Sequence, residues 1–323
     1  MAYYVGVDLG ATNVRAVVAD DDGTIIGSSI DGTPRGPTGI AVTEAVLRVV
    51  REACDDAGVE PDEATAGGIA SIGPLDLAEG AVENPANLPD TIDRIPLTGP
   101  ISVLLDTDRI YLHNDTNAGV IGERFYSDRN PDDMVYLTIS SGVGAGVCVD
   151  GEVLAGWDGN AGEVGHMTLD PQGLLTCGCG HDGHWEAYCS GNNIPRYAEY
   201  LYEEDNVETS MPIEDADFSA VDVFEHADAG DDFASYVVDQ VGHWNAMGVA
   251  NIVHAYAPII IYVGGAVALN NPEQILDPIR DRMDDMVMTN IPEIELTTLG
   301  DEVVVQGAVA SALTGGTGDR SRL

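Results

Sequence analysis

Apolar and polar positions along the chain alternate between two periods, and the switches between them predict an α/β protein. Residues 3–9 (YYVGVDL), 14–19 (VRAVVA) and 24–29 read as three short strands separated by Gly10 and by the DDDG turn at 20–23. After Thr38 the period becomes helical to about residue 57, with Ile40, Val42, Val46, Val49 and Val50 expected on one buried side. Small-residue strand 66–72 leads to Gly73-Pro74, and strand 110–113 runs into Asn114-Asp115 and a helix over TNAGVIGERF. Strand 134–139 is followed by a glycine-rich turn over 140–146 and a strand at 147–150. Helical patterns cover 192–202, 220–229 and 232–256, and apolar strand 259–263 ends in Gly264-Gly265. A helix starting at Pro272, an extended stretch at 295–299 and an Ala-rich helix at 306–313 precede a GGTGDRSRL tail that reads as disordered.

At 323 residues the chain is long enough for two domains, since ~150 residues per domain is usual. Charge adds the next constraint. There are 55 acidic residues against 13 basic ones, a net charge of −42, and every basic residue is arginine. The acids are spread over the whole length, so the anionic surface repels itself and repels nucleic acid. Molar salt shortens the Debye length to ~3 Å and relieves that repulsion. The composition therefore points to a halophilic, cytoplasmic protein, the alternative being an acidic protein of an ordinary cell. Five cysteines, two of them in a CxC pair, do not form a disulfide framework. The N-terminus lacks a basic region and no apolar run reaches ~18 residues, so neither a signal peptide nor a membrane span is expected.

The densest chemistry lies at 163–186, EVGHMTLDPQGLLTCGCGHDGHWE. His166, Cys177, Cys179 and His184 offer two nitrogens and two sulfurs, a donor set that suits tetrahedral Zn²⁺. Gly178, Gly180 and Gly183 let the loop wrap a small ion. His181 or Cys189 could take the place of His184, and the alternative for the whole loop is a pair of free cysteines. A metal here would bring Glu163 and Glu186 into one pocket. Elsewhere, Gly10, Thr12 and Asn13 form a turn whose N–H groups and hydroxyl could meet phosphate without lysine. Ser140, Gly142 and Gly144 repeat that device, and Gly264-Gly265 is a third glycine turn. Asn84 and Asn87 present amides that suit sugar hydroxyls, or are ordinary turn residues. Asp115, between a strand end and a helix start, occupies a position typical of ligand crevices in α/β proteins; the alternative is that Asp115 or Thr116 only caps the helix.

VGVDLGATNVRAVVAD, NDTNAGVIGE, TISSGVGAG, EVGH followed by CGCGHDGHWE, and a late VGG occur in that order. Together they resemble the ROK family of sugar kinases, and the resemblance spans nearly the whole chain. It implies a two-lobed actin-like ATPase (ribonuclease H-like) fold. The expected division is a small α/β domain over 1–116, completed by helix 305–323, and a large α/β domain over 117–304 holding the zinc loop. The resemblance implies an ATP-dependent hexose kinase, with glucose phosphorylated at its 6-hydroxyl. Fructose, mannose or N-acetylglucosamine are alternative substrates, and a non-catalytic sugar-binding regulator is the alternative from another class. It gives Asp115 the role of general base and Asp8 a place near Mg²⁺. The turns at Gly10, Thr12 and Asn13 and at Ser140, Gly142 and Gly144 would hold ATP phosphates, with Gly264 and Gly265 near the nucleoside. Asn87, Asn114, Glu163, His166 and Glu186 would be sugar ligands, His166 also binding a structural zinc. A homodimer or homotetramer is expected. The chain departs from the family pattern at His184, where a third cysteine is usual; a neutral imidazole makes the site one charge more positive. Many ROK proteins are repressors with an N-terminal helix-turn-helix, whereas this sequence opens on the catalytic-lobe motif, and its charge leaves no means of holding DNA.

Overall fold

The computed structural model describes residues 2–85, 87–205 and 207–322. In chain order the elements are β1 (Tyr3–Leu9), β2 (Asn13–Ala19), β3 (Ile25–Gly32), α1 (Gly39–Ala57), β4 (Ala64–Ser71), β5 (Leu75–Asp76), β6 (Ala81–Glu83), β7 (Arg94–Pro96), α2 (Thr98–Leu105), β8 (Ile110–Asn114) and α3 (Asp115–Tyr126). Then follow β9 (Met134–Ile139), β10 (Val143–Val149), β11 (Glu152–Val153), α4 (Glu186–Cys189), α5 (Ile194–Asp205), α6 (Ala220–Asp228), α7 (Asp232–Tyr256), β12 (Ile260–Gly264), α8 (Ala266–Asn270), α9 (Pro272–Met286), β13 (Glu293–Leu296) and α10 (Val303–Thr314). They form two compact units, one of residues 1–136, 146–162 and 301–323, the other of 137–145 and 163–300.

The first unit is built on a sheet of order β3-β2-β1-β4-β8. β1, β2 and β3 pair antiparallel, while β1–β4 and β4–β8 are parallel. Alternation along the strands supplies two apolar faces. Val5, Val7, Leu9, Val14, Ala16 and Val18 pack with Val42, Val46, Val49 and Val50 of α1. Val17 and Ala19 on the opposite face meet Ile121 and Phe125 of α3 and Val305 and Val309 of α10. Each such fully buried valine contributes about 1.5–3 kcal/mol. Gly68 sets how close α10 comes, since a Cβ on it would lie 1.9 Å from the Ala308 carbonyl oxygen. A small antiparallel sheet, β5-β6-β7, completes this unit. These units divide at points other than residue 116, because α3 packs along α10 and its first turn seats on Gly146.

A second sheet has the order β11-β10-β9-β12-β13. In the second unit α7 packs against α6 and α9. Its mixed face explains the long helix: Val237, Val241, Val249, Ile252 and Val253 are buried at helical spacing.

Local expectations differ from the structure in four places. Ile40 is 54% exposed, because it stands two residues from Val42 on a 3.6-residue helix, across α1 from the buried stripe of Val42, Val46, Val49 and Val50. The strand after the second glycine turn starts at Val143, so the turn is Ser140–Gly142 and Gly144 and Gly146 lie within β10. The extended stretch near 295 is Glu293–Leu296, paired parallel with β12. The tail is ordered through residue 322: the buried Arg124 guanidinium donates to the carbonyls of Thr317 and Gly151, and the Arg320 N–H donates to Asn130.

Candidate active site

In the first unit, strand β1 delivers Asp8 opposite Arg15 of β2. The turn between them is closed by a 2.9 Å bond from Gly10 N–H to the Asn13 carbonyl, and the Thr33 hydroxyl donates to the Gly10 carbonyl. Thr12 and Asn13 remain exposed at its tip. Arg15 makes a two-pronged ion pair with Glu302 at the head of α10, both contacts 2.7 Å. That pair joins the first hairpin to the C-terminal helix, and neither residue was singled out by the sequence. Long-range register, rather than any motif, brings them together.

Asp115 is the first residue of α3, and its carboxylate accepts the Thr116 N–H at 2.8 Å. It is not the cap. Asn114 caps the helix, its side-chain oxygen accepting the Asn117 N–H at 2.8 Å and the Thr116 hydroxyl at 3.3 Å. Asn114 therefore has its carbonyl committed, and its amide N–H₂ is the part suited to a ligand. The Asp115 side chain reaches solvent, yet protein crowds around it. The crowding governs its charge, because desolvation acts beyond the contact surface. Burial raises its pKa, against opposing bonds from the Thr116 N–H and its own N–H.

Asp8 is pushed up to about 6, first by burial, then by the charge of Asp115, with Arg15 opposing and Glu302 adding to the rise. Three carboxylates and one guanidinium thus leave an excess of negative charge, which suits a divalent cation. The folded state holds the Asp8 proton more tightly than the unfolded chain does, so this group's penalty is absent below about pH 4 and grows as pH rises through 6. Asp8→Asn is therefore expected to stabilise the ligand-free protein at pH 7.5 by on the order of 1–3 kcal/mol, with the gain fading towards pH 4. Thermal unfolding at both pH values checks this; an unchanged midpoint at pH 7.5 would count against it. Asn84, at φ 48°, and Asn87 follow β6 with both side chains exposed.

In the second unit the sequence's metal candidates converge. Ligand atoms of His166, Cys177, Cys179 and His184 all lie within 4.8 Å of one another. The loop is shaped by bridges Thr168–His184 and Thr176–Asp182, and by a turn in which Cys177 N–H donates to the His181 carbonyl. Gly183, at φ 73°, is required where it stands: a Cβ would lie 2.0 Å from the Asp170 carbonyl oxygen. Cys189 is excluded as a ligand, since it is fully buried with its thiol directed at the Val241 carbonyl. His181 lies outside the four, stacked on His184 with its Nδ1 3.6 Å from Cys179 Sγ. Two nitrogens and two sulfurs at this spacing fit a tetrahedral soft cation. Burial pushes the Cys177 thiol up to about 12, so its proton leaves when a cation takes its place.

His166 turns Nδ1 towards Cys177 (3.7 Å) and Nε2 towards Glu163 (3.8 Å). Glu186 starts α4, with Oε1 3.5 Å from Cys177 Sγ and Oε2 accepting the Val143 N–H at 3.0 Å. The sequence did not reveal the struts beneath this loop. Asp170, buried, accepts the Tyr188 hydroxyl at 2.6 Å and the N–H groups of Gln172 and Leu174. Tyr188 is stacked on Trp244, and the buried Trp185 indole donates to Asn245. The glycine turns also meet within this unit: Gly265, at φ 87°, lets its backbone approach the Ile139 carbonyl, where a Cβ would come to 2.5 Å. Ser140 is held beside it through its carbonyl, which accepts the Gly191 N–H at 2.7 Å. Gly264 closes β12.

A sequence profile of the ROK family matches residues 4–314. The glucokinase of Pyrobaculum calidifontis is 35% identical over 312 residues, covering 97% of this chain and 95% of that one. The ROK hexokinase of Thermus thermophilus has a TM-score of 0.80 at 31% identity, covering 96% and 97% of the two chains. A ROK family glucokinase from Streptomyces griseus, solved in complex with glucose and AMPPNP, has a TM-score of 0.75 at 28% identity over 96% and 99%. With a profile match over nearly its full length and relatives above 30% identity across both chains, this protein belongs to the ROK family.

Proposed function

We propose that the protein is an ATP-dependent glucokinase that transfers the γ-phosphoryl group to the 6-hydroxyl of glucose. The observation that carries this reading is Asp115: an acid at the first turn of α3, relieved of capping by Asn114 and with a raised pKa. As the sugar oxygen forms its bond to the γ-phosphorus, its proton passes to the Asp115 carboxylate, and the bond from the γ-phosphorus to the bridging oxygen breaks to release ADP. The turn at Gly10, Thr12 and Asn13 and the turn Ser140–Gly142 offer backbone N–H groups to the phosphates, Gly144 lying beyond the second turn in β10. Gly264 and Gly265 lie near the nucleoside. Asn87, Asn114, Glu163, His166 and Glu186 contact the sugar. Magnesium, held near Asp8 when bound with ATP, supplies positive charge against the phosphate oxygens. His166, Cys177, Cys179 and His184 would hold a structural zinc, since four protein ligands leave no open position, and the loop so closed would orient Glu163 and Glu186. The substrates are those of the cytoplasm, and the functional form is a homodimer or homotetramer. Among the described residues no helix is long and apolar enough to cross a membrane.

A panel of glucose, mannose, fructose and N-acetylglucosamine with ATP and Mg²⁺ tests the reading. Glucose is expected to give the highest kcat/KM; another sugar ahead of it would reassign the substrate. Sugar binding without ATP turnover would establish a regulator instead. The assay belongs in concentrated salt, because a net charge of −42 without lysine supports a halophilic reading. Activity and melting temperature are expected to climb as KCl rises from about 0.1 to about 3 M, over which screening changes greatly. A flat profile would remove the halophilic assignment.

A further inference from the structure

The Glu186 carboxylate sits on the Ser140–Gly142 turn. Its Oε2 accepts the Val143 N–H, the first amide of β10 after that turn, at 3.0 Å. Gly142 makes the approach feasible, since a Cβ there would lie 2.7 Å from Oε2. The carboxylate is carried by a rigid base: Trp185, the preceding residue, is fully buried and bonded to Asn245. The turn itself is held by the Ser140 N–H to the Gly142 carbonyl (2.9 Å) and by Gly191 N–H to the Ser140 carbonyl (2.7 Å). The Val143 N–H is therefore given to an anion within the protein. A phosphate oxygen would compete for the same donor, and two anions beside one another repel. The other oxygen, Oε1, faces Cys177 at 3.5 Å, on the loop assigned to the sugar.

We propose that Glu186 is a gate that makes nucleotide binding depend on the sugar. While its carboxylate occupies the Val143 N–H, it holds the triphosphate off the turn. A pyranose hydroxyl donating to Glu186 draws the carboxylate from that amide, which then turns to the phosphate. The device deepens the kinase reading, and rests on it for the phosphate-binding role of the turn and the sugar-binding role of Glu186. It discourages transfer of the phosphoryl group to water when no sugar is present. By linkage, nucleotide and sugar must tighten one another by the same factor.

The test is calorimetric titration of Mg²⁺–AMPPNP into zinc-loaded protein, with and without saturating glucose. Glucose is expected to tighten nucleotide binding to the natural protein by at least ~10-fold, given the cost of adjacent anions in a partly desolvated site. In Glu186→Gln, sugar-free binding should tighten by a similar factor and the effect of glucose should shrink towards none. Should that variant lose its metal on elemental analysis, Glu186→Asp, which retracts the charge from the amide, carries the same expectation. Sugar-free affinity unchanged from the natural protein, in a variant that retains zinc, overturns the gate. Gly142→Val separates this from failure of the underlying reading. Loss of AMPPNP binding with and without glucose supports the turn as the phosphate cradle, whereas normal binding would overturn that role and the gate built on it.

Discussion

Asp115→Asn is expected to lower kcat by at least ~10²-fold, the lower end for loss of a general base, while glucose affinity changes only a few-fold. The amide keeps the shape of the carboxylate and can still contact a hydroxyl, but it cannot take a proton. Because Asn114 is the cap of α3 and Asp115 is not, the substitution leaves the helix start intact. Loss of activity with retained melting temperature and retained sugar binding is the signature that separates chemistry from folding. The pH profile adds an independent check. Burial raises the Asp115 pKa, and the base must be ionised to work, so activity falls as pH drops through that raised value. The residual activity of Asp115→Asn should lack this limb. Near-normal turnover in the variant would leave the chain without this base and transfer the role to another acid. Glu186→Gln should show the opposite kinetic balance, with KM for glucose raised more than kcat is lowered, as for a positioning residue.

Removing the metal is the second large effect. Zinc is expected at about one per chain, and Cys177→Ala should abolish it, raise KM for glucose at least ~10-fold and destabilise the fold, because losing a ligand costs at least as much as losing an outer partner of one. Cys177 is the buried member of the four, with Glu186 and His166 both against its sulfur. His184→Ala should also lower the zinc content, whereas Cys189→Ala should not, its thiol being bonded in the core to Val241. Elemental analysis and glucose kinetics before and after chelation check the set. A protein that stays fully active without metal would remove zinc from the account, and zinc loss on Cys189→Ala would overturn the ligand assignment.

Much of this architecture could be read from local pattern. Alternation in β1 and β2, helical spacing of the valines in α1, and the cluster of sulfur and nitrogen donors at 166–184 are properties of neighbouring residues, and neighbours are what a sequence displays. The ordered motifs carried the ROK resemblance for the same reason. Of the errors, Ile40 is one of helical phase, since two residues from Val42 is the opposite side of α1 from the buried stripe; the others lie where distant segments decide. The tail has no large apolar residue before its last, Leu323, yet buried Arg124 satisfies its charge with the carbonyls of Gly151 and Thr317 and with Asp132, ordering residues far apart in the chain.

By itself the sequence determined the element types, the cluster of sulfur and nitrogen donors at 166–184, the excess of acids and the acid at the start of α3. Tertiary structure decided which neighbour caps that helix, that Cys189 belongs to the core, that Arg15 is paired with Glu302, and that the Glu186 carboxylate lies on the Val143 amide. The physical reason is common to all four. A side chain's chemistry is written in its type, but its partner and its desolvation depend on which remote backbone folding brings within hydrogen-bond distance.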